Sequence, residues 1–431
     1  AIRLYETRGR EEVTAALLSA FPDEPGLTSA SIAELLDTLD ALKVAGKLYS
    51  SDDYLQGARP MKDGGLVIKA LCLHVAHVCN LTCSYCFAGQ GKYQGQAALM
   101  SLETGKKALD FLVAHSGSRR NLEVDFFGGE PLLNWDVVKG VVAYGRELEK
   151  THGKTFRFTL TTNGVALDEE MMDFTNREMH NVVLSLDGRQ QVHDRYRVDR
   201  QGKGSYEAIV PKFQQLVGKR GERGYYIRGT FTRDNLDFLQ DVLHMADLGF
   251  TQLSMEPVVT APDDPGALRE EDLPLLFEQY EQLALEMLKR KRAGRGFDFY
   301  HYNIDLQNGP CIHKRLSGCG SGTEYLAVTP QGDLYPCHQF VGDEQFKMGS
   351  LEEGVIRTDL REAFRQNTLQ AHPECAGCWA QLYCAGGCAA NACHATGSIN
   401  GVYALGCELF KKRIECALML QAALLEEGDK G

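Results

Sequence analysis

Between residues 71 and 295 strand-like and helix-like segments alternate six times, and this alternation restricts the fold more than any other feature. The strand-like segments are LCLHV (71–75), LEVDFF (122–127), TFRFTL (155–160), VVLSL (182–186), YYIRGTF (225–231) and TQLSMEP (251–257). Helical patterns such as SLETGKKALDFLVAHS and NWDVVKGVVAYGRELEK lie between them. Six strand–helix units in series call for a parallel sheet with helices on its outside. A long helical pattern, REEDLPLLFEQYEQLALEMLKRKRAG, ends the series.

Directly after the first strand-like run come Cys79, Cys83 and Cys86, spaced C-x3-C-x2-C, with Tyr85 before the last. One loop with this spacing can present three thiolates to one metal centre. Zinc and most ferredoxin clusters take four protein ligands, and no fourth cysteine stands nearby. Three thiolates on a four-iron cluster would leave one iron open. A zinc knuckle and three buried free cysteines are the alternatives.

The chain has 431 residues, 44% of them hydrophobic and 24% charged, enough for two or three domains with sizeable cores. A net charge of -12 argues against a nucleic-acid surface. No stretch has the length of a membrane span, and the opening residues lack a signal-peptide layout. Fourteen cysteines in such a chain point to metal in a reducing cytoplasm rather than to disulfides. Four lie between Cys72 and Cys86 and ten between Cys311 and Cys416, so two metal-binding regions flank a cysteine-free middle. Cys72, in a strand, and Cys416, in an apolar helix, read as core residues. Cys393 is open.

The C-x3-C-x2-C loop with its aromatic resembles that of the radical SAM family, in which S-adenosylmethionine fills the open iron. The resemblance implies an open, partial (β/α)6 barrel over residues 70–295, with its chemistry at the C-terminal ends of the strands. Gly128, Gly129, Glu130 and Pro131 follow the second strand. The glycines would let the backbone approach a ligand, and in that family this segment receives the amino group of S-adenosylmethionine. Asn163 and Ser185, at the ends of the third and fourth strands, suit hydrogen bonds to the cofactor, or a turn or helix cap. Arg228, on the fifth, would pair with the cofactor carboxylate or with an acidic neighbour.

Beyond a bridging segment at 296–318, Cys319 and Cys337 frame C-x12-G-x4-C, and Cys375, Cys378, Cys384 and Cys388 form C-x2-C-x5-C-x3-C, followed by Cys407. This order resembles the SPASM extension of peptide-modifying radical SAM enzymes at every spacing. A zinc ribbon would account for C-x2-C alone. By that resemblance residues 319–431 hold two auxiliary clusters, making three 4Fe-4S clusters in all. Cys375, Cys378, Cys384 and Cys407 would hold the second; Cys319, Cys337 and Cys388 the first. For the first, the fourth ligand is Cys311 or a substrate thiolate on an open iron.

Longer phrases, LCLHVAHVCNLTCSYCFA, NLEVDFFGGEPLLNW, NVVLSLDGR, GTFTRDNLDF and GCGSGTEYLAVTPQGDLYPCHQFVG, are similar to maturases of SCIFF peptides and other ranthipeptides. The resemblance implies thioether cross-links between a cysteine sulfur and a β or γ side-chain carbon of a ribosomal precursor peptide. It implies a 5′-deoxyadenosyl radical as the agent and a low-potential reductant such as flavodoxin or ferredoxin. Anaerobic sulfatase maturation to formylglycine and sactipeptide-type α-carbon thioethers are the alternatives. Residues 1–55 are expected to form a small α+β domain. IRLYE reads as a strand, REEVTAALLSAF as a helix, and IAELLDTLDALKVAGKL as a helix capped by Ser31. It resembles the leader-recognition domain of such maturases, which takes a peptide as an added strand; a plain helical cap is the alternative. Residues 56–69, with Gly57, Pro60, Gly64 and Gly65, read as a linker.

Overall fold

The computed structural model describes residues 5, 8–22, 24–49, 67–93, 95, 97–260, 264–306 and 312–428. Two compact units divide the chain, Ala1–Arg59 and Pro60–Gly431. No helix among the described residues is long and apolar enough to cross a membrane.

The first unit contains α1 (Arg10–Ala20) and α2 (Ser29–Val44). Val13 and Leu17 of α1 meet Ile32, Leu36 and Leu39 of α2 in a small core. The cap of α2 is Thr28 rather than Ser31, and Ser31 is the other half of a capping box. Ser31 N donates to Thr28 Oγ1 (3.1 Å) and Thr28 N to Ser31 Oγ (2.8 Å). Of the expected strand only Tyr5 is described, and it is helical. The described residues of this unit therefore contain no strand. Most of the expected linker lies outside the described residues.

The second unit begins the alternating series with β1 (Ala70–Ala76), α3 (Leu102–His115), β2 (Asn121–Gly128), α4 (Trp135–His152), β3 (Thr155–Thr162) and α5 (Glu169–Glu178). It continues through β4 (Asn181–Ser185), α6 (Gln190–Tyr196), α7 (Tyr206–Arg220), β5 (Tyr226–Phe231), α8 (Phe238–Asp247), β6 (Gln252–Pro257), α9 (Leu273–Arg292) and β7 (Asp298–Phe299). Strands β1 to β7 pair in sequence order, all parallel. This is the expected mixed α/β barrel architecture. The helices start and stop where local chemistry favours it. Ser101 Oγ accepts from Thr104 N (3.0 Å) at the start of α3, and Gly153 closes α4 with φ +62°.

The cysteine-rich region continues the same sheet instead of forming a separate layer. After α10 (Ile312–Ser317), β8 (Tyr325–Val328) pairs parallel with β1. Strands β9 (Asp333–Tyr335), β10 (Gly349–Ser350) and β11 (Gly354–Val355) follow antiparallel. Helices α11 (Thr358–Gln366), α12 (Gln381–Cys384), α13 (Ala389–Thr396) and α14 (Ala404–Gly428) complete the unit. Helix α14 packs along α9, with Lys412 Nζ 2.8 Å from Glu281 Oε1.

Strand alternation divides each strand between two faces. Leu71, Leu73 and Val75 of β1, Val124 and Phe126 of β2, and Leu184 of β4 enter the core under the helices. The opposite face, lining the barrel interior, carries Cys72 and His74 of β1, Asp125 and Phe127 of β2, Ser185 of β4, Arg228 and Thr230 of β5, and Ser254 and Glu256 of β6. Ser185, Arg228 and Ser254 are register neighbours.

Candidate metal and cofactor site

The three-cysteine loop leaves β1 at its C-terminal end. Cys86 N donates to Cys83 O (3.3 Å) and Gly89 N to Cys86 O (3.0 Å), a tight turn around the last two thiols. Thr82 N reaches Val198 O (2.8 Å) and ties the loop to the segment after β4. Cys79 Sγ accepts from Leu81 N (3.4 Å) and lies 3.6 Å from the donor Asn163 Nδ2. Burial pushes the Cys79 thiol up to about 12, and Glu130, Cys83 and Cys86 oppose its ionisation further. Burial also raises the Cys83 thiol, against the pull of Arg197. Half-buried, unbridged thiols, with N–H donors aimed at the Cys79 sulfur, fit metal-bound thiolates. Among the described residues no three His, Cys, Asp or Glu side chains converge on one ion position. A cluster asks instead for thiolates on different irons, which stand apart.

The glycines of G-G-E-P are needed for the contact between β1 and β2. A Cβ on Gly128 would stand 2.3 Å from Ala76 O, and one on Gly129 2.2 Å from Val78 O. Gly91, at φ +87°, would meet Gly129 Cα at 2.8 Å and Cys79 Cβ at 3.2 Å. Three glycines thus let the cluster loop lie directly on the β2 exit. Gly129 N donates to Ala76 O (2.7 Å) and Glu130 N to Val78 O (2.9 Å). Pro131 opens a short 3-10 turn.

Glu130 is wholly buried, and its carboxylate accepts from Thr162 Oγ1 (2.7 Å), Asn163 N (2.8 Å) and Leu132 N (3.0 Å). Burial raises it to about 6, against those three donors. It staples β2 to β3 and keeps about one of a carboxylate's four acceptor sites for a ligand. Asn163 faces the cluster loop, donating to Asn80 Oδ1 (2.8 Å). Ser185 and Arg228 sit side by side on the interior face. Arg228 is exposed; its carbonyl accepts from Leu186 N (3.1 Å), and its charge favours ionisation of Glu256 on β6.

Tyr85 is held by a buried pair that sequence reasoning missed. Its hydroxyl donates to Asp187 Oδ2 (2.5 Å), and Arg197 grips the same carboxylate through Nε (2.9 Å) and Nη2 (3.1 Å). A second group, on β6 and beyond, was also missed. His301 Nε2 lies 3.5 Å from Glu256 Oε1, and Arg413 Nη1 3.3 Å from His301 Nδ1. Burial holds His301 neutral, down to about 3. A third is His74, wholly buried, 3.2 Å from His77 through Nδ1 and without a partner at Nε2. The first two groups join residues far apart in sequence, which no local pattern signals; His74 and His77 stand three residues apart.

The seven later cysteines fall into two groups. Burial pushes Cys384 up to about 12, and Cys407, Cys375 and Cys378 oppose its ionisation further. Burial does the same to Cys337, with Cys388 and Cys319 as its thiol neighbours. Cys375, Cys378 and Cys407 thus lie near Cys384, and Cys319 and Cys388 near Cys337, which Cys72 also neighbours. Cys311 lies outside the described residues. Cys72 and Cys416 are buried in the core, as expected, and Cys393 is half-buried on α13. A surface cavity of about 540 Å³ lies beside Gly117 and Lys154, and none of these cysteines lines it.

Comparison with known proteins agrees with this arrangement. Residues 73–245 match the radical SAM superfamily, and residues 319–379 match SPASM, an iron–sulfur cluster-binding domain. A cysteine-type anaerobic sulfatase-maturating enzyme of Clostridium novyi is 26% identical over 330 residues, covering 73% of this chain and 85% of that protein. The structure of anSMEcpe with bound AdoMet and the Cp18Cys peptide superposes with TM-score 0.68 at 19% identity, covering 83% of this chain and 99% of that one. Streptococcus suis SuiB bound to the precursor peptide SuiA superposes with TM-score 0.57 at 15% identity, covering 88% and 89%.

Proposed function

Starting from a radical SAM enzyme with a C-terminal SPASM domain, we propose that this chain cross-links a ribosomally made precursor peptide. The product is a thioether from a cysteine sulfur to a β or γ side-chain carbon of another residue. The reading is supported by the SPASM-like order of the seven late cysteines, with Cys375, Cys378 and Cys407 near Cys384 and Cys319 and Cys388 near Cys337. Three thiols leave one position on a four-iron cluster, which Cys311 or a substrate cysteine can take; a substrate cysteine there gives the thioether. Binding to a metal keeps such a sulfur deprotonated.

Bound S-adenosylmethionine and a reduced cluster would supply the radical that takes a hydrogen from the peptide. The protein's own residues position and shield. Cys79, Cys83 and Cys86 would hold the first cluster, Cys375, Cys378, Cys384 and Cys407 a second, and Cys319, Cys337 and Cys388 a third. Arg228, exposed on the interior face, would take the cofactor carboxylate, with Ser185 beside it. Asn163 would orient the Cys79 sulfur, and Tyr85 would close the loop side. The Gly91, Gly128 and Gly129 contacts keep water out beneath the loop. Holding sulfur and carbon together makes the bond-forming step unimolecular. Residues 1–59 would bind the leader part of the precursor.

A second reading, oxidation of one serine or cysteine to formylglycine, is favoured by the similarity to sulfatase-maturating enzymes. Mass spectrometry of a cysteine-rich peptide produced together with the enzyme separates the two. Thioether formation lowers the peptide mass by two hydrogens per bond and leaves one cysteine fewer to alkylate each time. A modified peptide whose cysteines all remain alkylatable would contradict it. The open position also predicts that Cys311→Ala keeps its iron, and that added peptide alters the cluster spectrum.

A further inference from the structure

We propose that the buried Asp187–Arg197 pair sets the reduction potential of the metal centre at Cys79, Cys83 and Cys86, besides docking its loop. The inference rests on the reading that those cysteines hold a cluster.

Asp187 follows β4 and is wholly buried. Its carboxylate takes four hydrogen bonds: from Tyr85 Oη (2.5 Å), Arg197 Nε (2.9 Å), Arg197 Nη2 (3.1 Å) and Thr230 N (2.9 Å). The Arg197 side chain is 12% exposed, so neither charge is open to much screening by salt. The guanidinium carbon stands 5.5 Å from the centre of the Tyr85 ring, and the Tyr196 ring lies 5.2 Å away from it. Tyr85 lies in the chain between Cys83 and Cys86, so its clamp fixes the backbone that carries both thiols.

Both members of the pair touch Tyr85, the residue between Cys83 and Cys86: Asp187 through its hydroxyl and Arg197 over its ring. A positive charge nearby stabilises the more negative, reduced form of a cluster and raises its potential. Charge and hydrogen bonds around the sulfurs are among the levers that set such potentials. A pair acting only as a fold staple would give damage of one kind whichever partner is altered. Electrostatic tuning gives shifts of opposite sign.

The test is a redox titration, followed by electron paramagnetic resonance, of the anaerobically reconstituted full-length protein. The signal to follow is the one absent from a Cys79→Ala, Cys83→Ala, Cys86→Ala variant. Arg197→Gln should lower its midpoint, and Asp187→Asn, which leaves Arg197 unbalanced, should raise it. Arg197→Lys keeps the charge without the two-pronged grip and should stay close to wild type, which covers the case of a charge-removing variant that fails to fold. Shifts of one sign, or none, overturn the tuning while leaving the cluster assignment intact. A triple variant that retains every signal overturns the assignment and the tuning with it.

Discussion

Replacing Gly129 by alanine probes the contact that seats the cluster loop. The added Cβ would stand 2.2 Å from Val78 O and 2.6 Å from Val78 C. Ordinary contact begins at 3.4 Å, so the carbonyl must retreat by at least 3.4 − 2.2 = 1.2 Å. The obstructing atoms are backbone, so no side-chain rotation relieves them. Overpacking of this kind costs about 1–3 kcal/mol. The retreat also strains two hydrogen bonds, Gly129 N to Ala76 O and Glu130 N to Val78 O, worth about 0.5–1.5 kcal/mol each. The total, about 2–6 kcal/mol, is a large part of the roughly 5–15 kcal/mol that stabilises a typical domain. A displacement of about 1 Å at a reactive site costs on the order of a hundredfold in rate. Urea unfolding followed by circular dichroism, bound iron, and release of 5′-deoxyadenosine together form the assay. Gly218, near the end of α7, has nothing within 4 Å of an added Cβ, so Gly218→Ala is the matched control and should be neutral or slightly stabilising. A Gly129→Ala protein that matches wild type in unfolding midpoint, iron and cofactor cleavage would refute the reasoning.

Two further predictions concern the barrel interior and the first unit. Burial raises the Asp125 carboxyl from 3.8 to about 6, with Glu123 adding and Thr159 opposing. Its folded-state value lies above its unfolded one, so the stability it contributes is complete below about pH 4 and lost as pH rises through 6. Asp125→Asn should therefore raise stability at pH 7 by about 1–3 kcal/mol and flatten the slope between those values; an unchanged slope in urea titrations would count against it. Deleting residues 1–59, a compact unit by itself, should weaken binding of the full-length precursor while peptide-free cleavage of S-adenosylmethionine stays nearly constant. Equal affinity for precursor with and without its leader would leave that unit a structural role only.

Much of the barrel is legible in the sequence because each strand carries an apolar run between helical patterns. The six strand segments fall within two residues of β1 to β6, since period and turn residues act locally. The cap of α2 was misplaced because Ser31 looks like a cap, while its role as the third helical residue depends on Thr28. The glycines of G-G-E-P were visible, but their purpose was not. Whether a glycine makes room for a ligand or for Val78 O is a question of three-dimensional contact. The bond between Asp187 and Tyr85 was not legible, because the two stand 102 residues apart. Pairing of β8 with β1 joins segments some 250 residues apart and makes one sheet of two expected domains. The cysteines were the reverse case. Their division into two late sets is what the resemblance to the SPASM extension implies, independent of any geometry.

The most direct test of the account is iron and cofactor chemistry measured on one pair of proteins. Anaerobically reconstituted wild type should hold about twelve irons, three clusters of four. The Cys79→Ala, Cys83→Ala, Cys86→Ala variant should keep about eight and produce no 5′-deoxyadenosine from S-adenosylmethionine. Zinc in place of iron at the late cysteines, or a triple variant that still releases 5′-deoxyadenosine, would contradict it.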